Sequence, residues 1–184
     1  MHLLETYAMS TGCSIDKCFL YEEKIDLPEL PYITIHSHNP KGSGRQYKYW
    51  QNIVDHLINH TKFNLEILQV GGLLDERLNH LNTSYLGKTN YHSLSYLIKN
   101  SALHIGFDSL PVHIASYHNI KIVAIYAHYA NNTKPYFSNP ENVVLLEPDH
   151  SKIKPVFANV DPFDQINSIP PSYIIDGIHK LLNL

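Results

Sequence analysis

Six short runs in this 184-residue chain are apolar almost throughout, and longer amphipathic stretches separate most of them. They are Tyr32 to Ser37, Leu65 to Gly71, Ser84 to Leu86, Ala102 to Phe107, Lys121 to Tyr126 and Asn142 to Glu147. A strand with one wet face alternates polar and apolar residues, whereas a strand covered on both faces stays apolar. The pattern therefore predicts βαβ units, with a parallel sheet and helices on both of its faces.

Helices are predicted over Tyr47 to His60, Tyr91 to Ser101, Ser109 to Tyr117 and Ser172 to Leu184. Trp50, Ile53, Val54, Leu57 and Ile58 recur at spacings of three and four, as do Ile174, Ile175, Ile178, Leu181 and Leu182. Residues 1–31 read differently. A helical pattern through Leu3, Leu4, Tyr7 and Ala8 stops at Gly12, and a mixed segment runs on to Leu27-Pro28-Glu29-Leu30-Pro31. They read as a lead-in, leaving 32–184 as one domain, for which 43% hydrophobic residues supply a core of ordinary size.

Several function classes are excluded. The formal net charge is -3 and the basic residues are scattered, so no footprint for nucleic acid is present. No apolar run approaches the roughly 18 residues that span a bilayer, and the N-terminus lacks a basic segment followed by an apolar core. A cytoplasmic protein is expected. Cys13 and Cys18 are separated by four residues with no second cysteine pair, and His36 and His38 are the nearest residues that would complete a zinc site. Free thiols and no metal are the expectation.

In an open parallel sheet, ligands sit beyond the carboxyl ends of the strands, which makes the following loops the informative positions. After the first run comes a polar, glycine-containing loop, His36 to Arg45, with Lys41, Arg45 and Lys48 as candidate cations for a phosphate. It matches neither a P-loop nor a dinucleotide fingerprint, and a solvated surface loop is the competing reading. After the second run, Gly71-Gly72 permits close backbone approach. Asp75 and Glu76 there are either acceptors for ribose hydroxyls or acids at a helix start. After the third, Gly87-Lys88-Thr89 is either part of a ligand site or a turn with an exposed lysine.

The fourth loop is the most informative. Leu103 to Ser116 runs from a strand directly into a helix that Ser109 is placed to cap, with first-turn N–H groups facing out of the sheet edge. Such a helix end suits a diphosphate. His104 lies in an apolar run and His113 on the inner side of the helix, so both are expected as hydrogen-bonded core histidines. No Ser-His-Asp, Cys-His or HExxH spacing is found.

This segment, Asp108-Ser109-Leu110-Pro111-Val112-His113-Ile114-Ala115, with Ile122-Val123-Ala124-Ile125-Tyr126 after it, resembles a signature of glycosyltransferase family 9, the heptosyltransferases. That signature reads Asp-Ser/Thr-Gly-Pro-x-His-Leu-Ala. The order of the other pieces agrees: a basic loop and Trp50 helix, a Gly71-Gly72 strand end, and Leu86-Gly87-Lys88-Thr89 before Leu94. The resemblance covers residues 32 to about 148, and His2, Leu4, Glu5, Tyr7 and Gly12 are similar to the family's interdomain segment.

The resemblance implies a Rossmann-like α/β domain, the C-terminal half of a GT-B glycosyltransferase. Such a half binds a nucleotide-diphosphate sugar without a metal, for transfer to a glycan or lipopolysaccharide-type acceptor. The acceptor site and catalytic carboxylate belong to an N-terminal half, a separate domain or chain. Carried over by position, Asp108 and Ser109 face the donor sugar and diphosphate. Lys41, Arg45 or Lys48 holds phosphate, Asp75 or Glu76 reaches the ribose, and Gly87, Lys88 and Thr89 border the base. Leu110 departs from the family's glycine, which crowds the backbone near the phosphates. A non-catalytic binding or assembly module of the same fold is the competing reading, and it predicts an exposed apolar surface. A doubly wound nucleotide binder of another kind leaves Asp108 to Ser116 unexplained.

Overall fold

All six apolar runs form strands: β1 (Tyr32–His36), β2 (Glu66–Gly71), β3 (Thr83–Leu86), β4 (Leu103–Phe107), β5 (Ile122–Ile125) and β6 (Val143–Leu146). The computed structural model describes residues 1–37, 45–60, 65–81, 83–154 and 165–184. The strands form one sheet in the order β3-β2-β1-β4-β5-β6, and every neighbouring pair is parallel. Ile33 of the central strand stands beside Ile67 on one side and Leu103 on the other. Because all six run the same way, their carboxyl ends share one edge. The strand order reverses direction between β1 and β4.

The helices are α1 (Leu3–Thr11), α2 (Trp50–His60), α3 (Tyr91–Lys99), α4 (Leu110–Tyr117) and α5 (Pro171–Leu182). The first turn predicted for α2 is absent: residues 45–49 stay irregular, and the helix begins at Trp50. Alternate side chains of the sheet enter two cores. Ile33, Ile35, Phe107 and Val123 meet Ile53, Val54 and Leu57 of α2 and Ile174 and Ile178 of α5. On the opposite face, Leu68, Val70, Ile122 and Ala124 meet Leu97 and Ile98 of α3 and Val112 and Ala115 of α4. Each fully buried branched side chain, such as Ile53, contributes about 1.5–3 kcal/mol by leaving water.

Residues 13–31 contain neither helix nor strand, but they lie against the second core through Leu20, Ile25 and Leu27. Glu22 pairs with Lys99 at 2.9 Å, and Asn90 donates to Glu23 at 2.7 Å. Preceding them, α1 is closed at both ends. The His2 ring accepts from the Leu4 N–H at 3.1 Å, Glu5 accepts from the His2 N–H at 2.8 Å, and Gly12 ends the helix at φ 68°. With Nδ1 accepting, the other ring nitrogen of His2 donates to the Lys134 carbonyl at 3.0 Å. This bond ties α1 to the loop after β5. Among the described residues no helix is long and apolar enough to cross a membrane.

Candidate functional site

The carboxyl edge of the sheet is richest in polar contacts where β1 and β4 part. The Asp108 N–H continues the ladder to the Ile125 carbonyl at 3.2 Å, which fixes where its side chain leaves the sheet. Three residues from three other segments then converge on it. Arg45 donates from Nη1 to the Asp108 carbonyl at 3.1 Å and holds Nη2 3.9 Å from its carboxylate. Thr133 donates to Oδ2 at 3.1 Å, and His113 Nε2 lies 3.6 Å from Oδ1.

His113 corrects an expectation. Val112, Ala115 and Ser116 face inward from α4, so residue 113 points outward, exposed and beside Asp108. His104 does lie in the core. Its Nδ1 bonds the Thr34 hydroxyl at 2.9 Å, and burial, with His36 nearby, lowers its pKa to about 3. The ring is neutral at ordinary pH. Burial, and then the Asp108 charge, push the Tyr126 phenol up.

Ser109 occupies the N-cap of α4 with an extended backbone, but its hydroxyl makes no capping bond. It donates instead to the Phe107 carbonyl at 3.0 Å and meets His36 Nδ1 at 2.9 Å. The helix end is also poorer in donors than the sequence suggests. Pro111 has no N–H and Val112 donates to the Ser109 carbonyl at 3.1 Å, so neither is left for a ligand. The Leu110 side chain turns away from this end, into an apolar groove of about 400 Å³ shared with Leu3, Leu4, Tyr7, Tyr136 and Phe137.

The two acids after β2 separate. No helix starts there, which removes the helix-start reading, and the Asp75 N–H closes a turn onto the Gly72 carbonyl at 3.2 Å. The Asp75 carboxylate accepts from the Gly72 N–H at 2.9 Å, and its side chain is 5% exposed. Gly71 is required beside it, since its φ is +153° and a Cβ would collide with that carboxylate. Glu76 is exposed. Its carbonyl is held at 2.7 Å by Gln69, a fully buried amide that also donates to Ser37 at 2.9 Å and accepts from Leu78 at 2.9 Å. Gln69 is a polar residue inside an apolar run, a signal the sequence carried.

Among the described residues, two hollows open on this edge. One, of about 230 Å³, lies between Arg45, Asp108, Tyr126, Tyr129 and Thr133. The other, of about 530 Å³, lies between Ser37, Lys48, Trp50, Glu76, Arg77 and Asn79. Of the basic candidates, Arg45 thus reaches the first hollow and Lys48 the second, while Lys41 lies outside the described residues. Gly87, Lys88 and Thr89 line neither hollow. They form the turn after β3, held by the Gly87 N–H on the Gly71 carbonyl at 3.0 Å. Cys13 and Cys18 are exposed and unbridged, His38 lies outside the described residues, and no cluster of metal-ligating side chains occurs among those described.

The model of glycosyltransferase family 9 (heptosyltransferase) matches residues 49–161, more than half of the chain and all of the Asp108 segment. The chain belongs to this family. Solved structures of family 9 type share its fold. The glycosyl transferase family 9 protein of Veillonella parvula DSM 2008 superposes with a TM-score of 0.65 at 14% identity, over 98% of this chain and 50% of that one. The E. coli ADP-heptose LPS heptosyltransferase II gives 0.64 at 14% identity, over 97% of this chain and 50% of the other. E. coli heptosyltransferase WaaC, solved with ADP, gives 0.59 at 11% identity, over 96% and 54%. The chain spans about half the length of these family structures. No curated protein matches it significantly.

Proposed function

We propose that this chain binds a nucleotide-diphosphate sugar at the carboxyl edge of its sheet and forms the donor side of a glycosyltransferase. The observation that carries the reading is the meeting of Arg45 with Asp108 across the point where the strand order reverses, in a family 9 chain. Arg45 takes the diphosphate, and Asp108 and Ser109 face the sugar and the diphosphate. Glu76 accepts from the ribose, with Lys48 in the same hollow as a further cation, and the turn at Gly87 to Thr89 borders the base. Asp75 serves as a support, because its carboxylate is already turned inward onto Gly72.

In the reaction, an acceptor hydroxyl attacks the anomeric carbon and the bond to the diphosphate oxygen breaks. The nucleoside diphosphate leaves with the electron pair, and the hydroxyl proton passes to a base on the acceptor side. Arg45 stabilises the charge that builds on the leaving group, so no metal enters this reading. The acceptor is a glycan or a lipopolysaccharide-type molecule, held by an acceptor-binding half. The groove lined by Leu3, Leu4, Tyr7 and Leu110 is the surface against which that half packs. The same groove supports a second reading, a non-catalytic assembly module, for which an exposed apolar surface is the expected mark.

Calorimetric titration of the purified chain with ADP, UDP, GDP and CDP separates the two. Selective binding of one nucleotide, weakened in Asp108→Ala and Ser109→Ala variants, is the expected result. Absence of binding by all four at millimolar concentration removes the donor reading and leaves the assembly module.

A further inference from the structure

We infer that His36 is a positioning residue that sets the Ser109 hydroxyl for the donor, by joining the end of β1 to the loops that follow β2 and β4 through one ring. The inference rests on the donor-site reading above. His36 closes β1, and its side chain is 12% exposed. Nδ1 lies 2.9 Å from Ser109 Oγ, and Nε2 lies 3.7 Å from Asp75 Oδ2. The ring plane is held by Phe107, with ring centroids 4.8 Å apart.

The Ser109 hydroxyl stands between two partners, the Phe107 carbonyl at 3.0 Å and His36 Nδ1 at 2.9 Å, and Nδ1 serves as donor or acceptor according to the tautomer of the ring. Held between these two partners, Oγ keeps its place when its hydrogen turns to an oxygen of an incoming diphosphate. This explains why a serine at an N-cap makes no cap: its oxygen is drawn away from the helix and toward the sheet edge. Asp75, itself fixed by the Gly72 N–H, stops the ring from turning.

The amide nitrogen of an asparagine falls near Nδ1 of a histidine, and that of a glutamine near Nε2. His36→Asn therefore keeps the Ser109 contact and loses Asp75, and His36→Gln does the reverse. Calorimetry with the nucleotide that the unaltered chain binds should show His36→Asn within about threefold of it and His36→Gln weaker by about tenfold, the value of one hydrogen bond. In a Ser109→Ala background, His36→Gln should cost nothing more. Thermal unfolding of each variant reports whether the fold is kept. Equal binding by His36→Gln and the unaltered chain overturns the inference alone. So does equal weakening by both substitutions, or a further tenfold loss in the Ser109→Ala background. Failure of the unaltered chain to bind any nucleotide overturns the donor reading, and this role of His36 with it.

Discussion

Arg45 grips Asp108 twice, by main chain and by side chain, and in doing so bridges the two segments that diverge where the strand order reverses. The pair is largely in water, with 46% of the Arg45 side chain and 21% of that of Asp108 exposed. A pair so placed contributes little to folding and much to an arriving anion, for which the guanidinium offers a planar fork. Arg45→Ala is expected to lower the unfolding free energy by less than about 1 kcal/mol. It should weaken nucleoside-diphosphate binding about tenfold. Urea unfolding and calorimetry on the same preparation check both, and a loss of stability with unchanged binding would make Arg45 a structural residue.

His104 gives the fold an acid limit. Its ring titrates near 6.5 in the unfolded chain and near 3 in the folded one, so between these values the unfolded state binds the extra proton. The stability present above the upper value is lost as pH falls, at up to about 1.4 kcal/mol per pH unit. Urea unfolding at pH 7, 6 and 5 should show this slope, and a His104→Asn variant should flatten it. Parallel slopes in the two proteins would assign acid sensitivity to other groups.

Gly71 and Gly12 both sit at positive φ, at +153° and +68°, in different surroundings. A Cβ on Gly71 collides with the Asp75 carboxylate, whereas one on Gly12 meets nothing within 4 Å. Gly12→Ala is expected to cost about 1 kcal/mol, the strain of the left-handed cap alone. Gly71→Ala should cost at least about 2 kcal/mol, since Asp75 must also move. Equal losses in urea unfolding would show that the Asp75 turn yields freely.

Gln69 links stability to the site. Its buried amide holds the Glu76 carbonyl, the Leu78 N–H and Ser37 at once. Gln69→Leu leaves those groups without partners, a loss of about 2–3 kcal/mol. It also releases Glu76, so nucleotide affinity should fall along with the unfolding midpoint. A destabilised variant that binds normally would separate Glu76 from the ribose.

The sheet was legible in the chain because a strand buried on both faces leaves little room for polar residues: β4 and β5 are buried throughout, with His104 the one polar side chain between them. Asp108 and Ser109 were legible for a related reason: a strand passing straight into a helix places the joining residues at the sheet edge. His113 was misplaced because α4 is only eight residues long, and the side that faces inward is settled by which neighbours it packs on. Thr133 carried no signal at all. It reaches Asp108 from a loop 25 residues further on, where no periodicity operates.

The sequence by itself determined the parallel α/β layering, the family and the turn at 108–109, since hydrophobic period and helix-start chemistry act over a few neighbouring residues. Only the tertiary structure decided which polar groups meet there. It brought together His36 with Ser109, Arg45 with Asp108, and Glu76 into the open while Asp75 turned inward. Parallel strands return every loop to one edge after long crossovers, so those contacts depend on strand order and register, and no local pattern specifies them.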